Sequence, residues 1–290
     1  MLKNEFSSEE EYNSIQKAAL ASVPLNKVDH NHLPCGIASG FFLKYKNHMF
    51  FLTAQHIYEG DLEEKKGRWG IICNWDILRG TLIKPLGQMG FLLSGHFTKK
   101  MAKALVSPKA INILKANGCM EIDLAYKLTN FIQTEIKLSN DGSNILLKEK
   151  RLPLEDNLDV DVDKNETYTF SGYVKPYEKV DVLKKYNVEN CYFHVVTPVC
   201  FFGLKYTGNK VNLKTGEMLI FEMQDYVENE YIKGCSGAPI LDSKGNLIAL
   251  VSERHEVKAN KYRGTQKKTL IYGLNLKKYK IALDIEINDL

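Results

Sequence analysis

The stretch "KGCSGAPILDSKGNLIALVS", Lys233 to Ser252, decides how the rest of the chain is read. Ser236 stands between Gly234 and Gly237, and Pro239 leads into a short apolar run. A Ser-Lys-Gly-Asn turn and a second apolar run follow, which is the pattern of two strands joined by a hairpin. Glycines on either side of a serine permit a tight backbone turn that pushes Oγ outward and leaves neighbouring N–H groups unpaired. Outward-facing N–H groups beside a hydroxyl are the donors that a developing oxyanion requires. Standing alone, the same residues also describe a plain tight loop between strands.

Upstream, "GIASGFFLKY" and "MFFLTA", separated by Lys46-Asn47-His48, read as two aromatic-rich strands around a polar turn. "WGIICNW", "GTLIKPL", "GFLLSG" and "IDLAYKL" continue the series. A second set comprises "TYTFSGYV", "CYFHVVTPVCFFGLKY", "EMLIFEM", "APILD", "NLIALVS" and "TLIYGLNL". Short strands punctuated by turns point to barrels or sandwiches rather than alternating βα units. Two stretches break this texture. Ser7 and Ser8, each followed three residues later by Glu10 or Glu11, form overlapping capping boxes ahead of Tyr12, Ile15, Ala18 and Ala19 at helical spacing. Further on, Ser107, Pro108, Ile111, Leu114 and Gly118 supply the N-cap, first turn, apolar face and stop of an inserted helix.

These signals divide the chain into an N-terminal helical arm over 1–30 and a first β-barrel over 31–150, with the helical insertion at about 98–118. The acidic stretch 151–165 reads as a linker, and 166–290 as a second β-barrel. Composition bounds the function. With 39 basic against 35 acidic residues, the net charge of +4 gives no electrostatic footprint for nucleic acid. No apolar tract reaches the ~18 residues of a membrane span. Glu5, Glu9, Glu10 and Glu11 fall where a signal peptide would need a basic start, and the six cysteines contain no CxxC pair. The expectation is a cytoplasmic protein with reduced thiols. His30 and His32 form a His-x-His pair without reinforcing ligands, so neither metal nor cofactor is expected.

Gly-x-Ser-Gly-x-Pro at 234–239, preceded by "LTAQH" ending at His56 and by "DLAYKL" starting at Asp123, resembles the trypsin-like (chymotrypsin-fold) serine peptidases, particularly their short bacterial-type members. The resemblance spans roughly 36–276 and is specific at these three boxes. It implies a mainly β molecule of two six-stranded antiparallel barrels. His56, Asp123 and Ser236 would act as base, orienting carboxylate and nucleophile, with Gly234 and Ser236 N–H groups as the oxyanion hole. It further implies Ser252 and Glu253 beside the substrate, with Glu230 near the pocket floor. An acidic floor would favour Lys or Arg before the scissile bond, but a solvated glutamate is the competing reading, and no cleavage preference follows.

The implied activity is a serine endopeptidase making limited cuts in protein or peptide substrates, with a regulatory or defence role by analogy. A protein activator or regulator stays open as a partner. The main alternative is a catalytically silent trypsin-like fold that binds a protein through its cleft. A cysteine nucleophile is rejected by register, because Cys235 would need glycine at 233 and 236, where Lys233 and Ser236 stand. Cys235 also occupies the place where digestive members carry the aspartate of their activation switch, so that switch is not expected here.

Overall fold

The computed structural model describes residues 9–28, 34–58, 68–76, 80–94, 97–98, 118–132, 135–139, 146–175, 196–212, 215–259 and 266–290. Most of the inserted helix expected at 98–118 and the pair His30 and His32 lie outside the described residues. Helix α1 (Glu9–Ala21) leads directly into β1 (Ser22–Val28), so the stretch read as a helical arm also contains a strand. Ten further strands complete the first unit: β2 (Pro34–Tyr45), β3 (His48–Thr53), β4 (Arg68–Asp76), β5 (Gly80–Pro85), β6 (Gly90–Leu93), β7 (Phe97–Thr98), β8 (Glu121–Leu128), β9 (Glu135–Ser139), β10 (Leu146–Lys150) and β11 (Leu154–Glu155). The second unit holds β12 (Thr167–Val174), β13 (Thr197–Asn212), β14 (Gly216–Glu222), β15 (Pro239–Asp242), β16 (Leu247–Ala259) and β17 (Gln266–Asn275), followed by α2 (Leu276–Tyr279) and α3 (Ile281–Asn288).

The second unit is a closed six-stranded barrel in the order β12-β13-β14-β17-β16-β15. The first is an eleven-stranded sheet ordered β10-β9-β4-β1-β2-β3-β8-β6-β7, with β5 and β11 attached to β4 and β2. The expected six-stranded count is therefore exceeded in this half. The cause lies in β4, which pairs β1 through Arg68–Ile71, β9 through Asn74 and Trp75, and β5 from Gly70 to Asp76. One strand with three partners branches the sheet. The molecule is mainly β, consistent with the two-domain chymotrypsin-like fold.

The run "MFFLT" has no polar alternation because β3 is covered on both faces. Phe50 and Leu52 join one core with Phe41, Leu124 and Tyr126, while Phe51 joins another with Phe42 and Leu25. The first of these cores also takes in Leu250 and Leu274 from the second unit and Leu283 from α3. Each such buried side chain contributes roughly 1.5–3 kcal/mol, so the contact between the units is core rather than rim. Residues 151–165 are not a free linker: Leu154 and Leu158 are buried in the shared core, and Leu154 pairs with Leu43. Among the described residues, no helix is long and apolar enough to cross a membrane.

Candidate active site

Three segments converge where the two units meet. His56 lies in the short 3-10 turn Gln55–Tyr58, immediately after β3. Asp123 is the third residue of β8, fully buried, and its backbone N–H donates to the Thr215 carbonyl across the unit boundary at 2.9 Å. Because β3 and β8 are neighbours in register, with Thr53 opposite Ala125, the turn after β3 falls beside the start of β8. Ser236 lies in the turn entering β15.

His56 Nδ1 lies 3.1 and 3.0 Å from the two Asp123 oxygens, and His56 Nε2 lies 3.0 Å from Ser236 Oγ. The His56 backbone N–H also donates to Asp123 Oδ1 at 2.9 Å. A carboxyl group with no solvent contact needs hydrogen-bond partners for both oxygens. Asp123 receives a further hydrogen bond from Ser252 Oγ. With the carboxylate accepting at Nδ1, the favoured neutral imidazole carries its proton there and leaves Nε2 as the acceptor facing the hydroxyl.

The turn that carries Ser236 is built by its glycines. Gly234 has φ +118° and Gly237 has φ +89°, conformations that side-chain-bearing residues avoid. Space is equally restrictive, since a Cβ on Gly234 would lie 2.4 Å from the Tyr173 carbonyl, and one on Gly237 would lie 2.1 Å from the Ser39 carbonyl. Within the turn, Cys235 N–H donates to Ile232 O at 2.8 Å and Gly237 N–H to Val251 O at 2.8 Å. The N–H groups of Gly234 and Ser236, on either side of Cys235, donate to no acceptor among the described residues. Two donors without an acceptor among the described residues thus lie beside the half-buried Ser236 hydroxyl.

The remaining expected site residues separate. Ser252 is buried, and its hydroxyl is committed to Asp123 rather than to the cleft. Glu253 pairs with His255 at 2.8 Å, whose ring stacks on Tyr272 with centroids 4.1 Å apart. Glu230 sits exposed on the 3-10 turn Asn229–Tyr231. Cys235 points into the barrel core, where burial pushes its thiol far above the usual range. Sequence reasoning missed two anchors. Arg254 donates through Nε and a terminal nitrogen to the Val227 carbonyl, tying the segment before the turn to β16. Ser39 meets the turn from β2. Neither residue carries a motif, because a serine or arginine inside a strand has no local signature of its partner.

No family model matches the chain, and no curated protein matches it. Among solved structures, it aligns with the crystal structure of the Rv3671c protease from M. tuberculosis in its active form. That alignment has a TM-score of 0.39 and 10% identity, covering 93% of this chain and 82% of the other.

Proposed function

We propose that this protein is a serine endopeptidase that cleaves protein substrates through Ser236, His56 and Asp123. The observation that carries the reading is the unbroken hydrogen-bonded series from buried carboxylate to imidazole to hydroxyl, with Nε2 3.0 Å from Oγ. A nucleophile, a base within reach of its proton and a third group orienting the base are the minimum for acyl transfer.

In this reading Ser236 Oγ attacks the carbonyl carbon of the scissile peptide while its proton passes to His56 Nε2. Asp123 keeps Nδ1 protonated and stabilises the imidazolium that forms. The carbonyl oxygen, now negative, is held by the N–H groups of Gly234 and Ser236. Collapse of the tetrahedral species breaks the C–N bond, and His56 returns the proton to the departing amine. Water then attacks the acyl carbon while His56 takes its proton; the bond from that carbon to Ser236 Oγ breaks, His56 returns the proton to Oγ, and the carboxylic acid leaves. The Ser252 hydroxyl acts on Asp123.

The five described cysteines are free thiols, which supports action inside a reducing compartment. Limited cutting of selected proteins, in a regulatory or defence setting, is the physiological role we assign. The test is hydrolysis of a complex peptide mixture, with new N-termini identified by mass spectrometry. Cleavages present with the wild-type chain and absent with Ser236→Ala support the enzyme. Identical patterns from the two proteins would end the proposal.

A further inference from the structure

Ser39 lies in β2 of the first unit, yet three of its four polar contacts reach the second. Its backbone N–H donates to the Ser236 carbonyl at 2.9 Å, and its hydroxyl donates to the Gly234 carbonyl at 2.9 Å. The hydroxyl also accepts from Tyr173 N–H in β12 at 3.0 Å. The fourth contact fixes Ser39 in place, because Thr53 Oγ1 at the end of β3 donates to its carbonyl at 2.7 Å. Ser39 has no solvent exposure.

These bonds have a directional consequence. Along the turn, the carbonyls of Gly234 and Ser236 point at Ser39, the Cys235 and Gly237 N–H groups point at Ile232 and Val251, and the Gly234 and Ser236 N–H groups find no acceptor among the described residues. Gly234 joins the peptide whose N–H finds no such acceptor to the peptide whose carbonyl Ser39 holds. Its lack of a side chain leaves that junction with little intrinsic resistance to rotation. The 234–235 peptide plane is held at both ends, its carbonyl by the Ser39 hydroxyl and its N–H by the Ile232 carbonyl. The Ser39 hydroxyl uses its one donor and one of its two acceptor positions on buried backbone groups of the second unit.

We propose that Ser39 is a positioning residue that aims the donor pair around Ser236, so that the first unit sets the oxyanion geometry of the second. This rests on the serine-peptidase reading for its catalytic consequence, though not for the clamp itself. Replacing Ser39 by alanine keeps the backbone bond to Ser236 but leaves the Gly234 carbonyl and Tyr173 N–H without their side-chain partner. Loss of one such bond corresponds to about a tenfold change in an equilibrium or rate.

The experiment has two arms on full-length wild-type protein and Ser39→Ala. In the first, hydrogen exchange followed by mass spectrometry across 233–241 reads the turn without any need for activity. The expectation is roughly tenfold faster exchange there in the variant, with β13 and β14 unchanged. Unaltered exchange in the turn overturns the inference, whatever the enzyme does. In the second, a fluorophosphonate probe is used to titrate Ser236. The second-order labelling rate constant should fall about tenfold, while the labelled fraction still reaches one per chain and the pH midpoint of labelling stays fixed. A merely structural role gives the opposite result, a reduced labelled fraction with an unchanged rate constant. Should Ser39→Ala fail to fold, Ser39→Cys retains the volume with a weak donor, and a smaller loss in the same two readouts is expected. Absence of labelling in the wild-type chain would count against the peptidase reading alone, because the exchange arm decides the clamp separately.

Discussion

Gly237→Ala tests the packing of the two units around Ser236. Its φ of +89° already costs an L-residue about 1–2 kcal/mol. The new methyl group would also lie 2.1 Å from Ser39 O, 2.3 Å from Thr53 Oγ1 and 3.0 Å from Ala54 N. Ser39 O is held in β2 and Ala54 N belongs to the bend that leads to His56, so neither can yield without moving the site. Overpacking of this kind adds roughly 1–3 kcal/mol, giving a total loss of about 2–5 kcal/mol. Gly118 provides the control, having φ +86° and nothing within 4 Å of its ideal Cβ. Urea unfolding of Gly118→Ala should show only the backbone cost of about 1–2 kcal/mol, and Gly237→Ala the larger value together with slower fluorophosphonate labelling. Equal losses from the two substitutions, with unchanged labelling, would refute the claim that this glycine lets the units close on one another.

Three further expectations follow from the site and its surroundings. Asp123→Asn should lower the turnover of a peptide substrate roughly 10³- to 10⁴-fold with little change in KM, because an amide does not enforce the Nδ1-protonated imidazole; a loss below tenfold would remove Asp123 from the mechanism. Folded protein treated with iodoacetamide at neutral pH should be modified at the exposed Cys35 and not at Cys235, whose thiol is buried and held protonated; mass-spectrometric detection of modified Cys235 in folded protein would reverse that assignment. Hydrogen bonds from Lys278 and then Asn275 hold the Glu217 carboxyl below its ordinary 4.5. A group with a lowered folded pKa stabilises above its unfolded pKa and loses that contribution as pH falls through the folded one. Stability measured by urea titration should therefore decline below about pH 5, less steeply in Glu217→Gln, and an identical slope in the variant would contradict the pairing.

How much of this was legible in the sequence differs by element, and for physical reasons. His56 follows β3 by three residues, Ser236 precedes β15 by three and Asp123 is the third residue of β8, and the apolar pattern of all three strands is visible, so their placement at the unit boundary follows from strand ends meeting there. The first unit was harder. β1 reads "SVPLNKV", with Pro24, Asn26 and Lys27 obscuring the pattern, and its strand character comes from pairing with both β2 and β4. The acidic 151–165 stretch looked solvated because most of its residues are, yet Leu154 and Leu158 reach the core. The strand count of the first sheet was set by branching at β4, a tertiary choice with no local signal. Ser252 appeared as a substrate contact by resemblance, and only the fold turned its hydroxyl onto Asp123. Ser39 and Arg254 drew no notice as anchors, since what they bind are backbone carbonyls nearly 200 and about 30 residues away.

The central claim is that Ser236 is a nucleophile activated by His56, and covalent labelling tests it most directly. Folded wild-type protein incubated with a fluorophosphonate should gain one adduct per chain, mapped to Ser236 by peptide mass spectrometry. That adduct should be lost on prior denaturation and be at least a thousandfold slower to form in His56→Ala. Adduct formation at an undiminished rate in His56→Ala, or at a residue other than Ser236, would contradict the account.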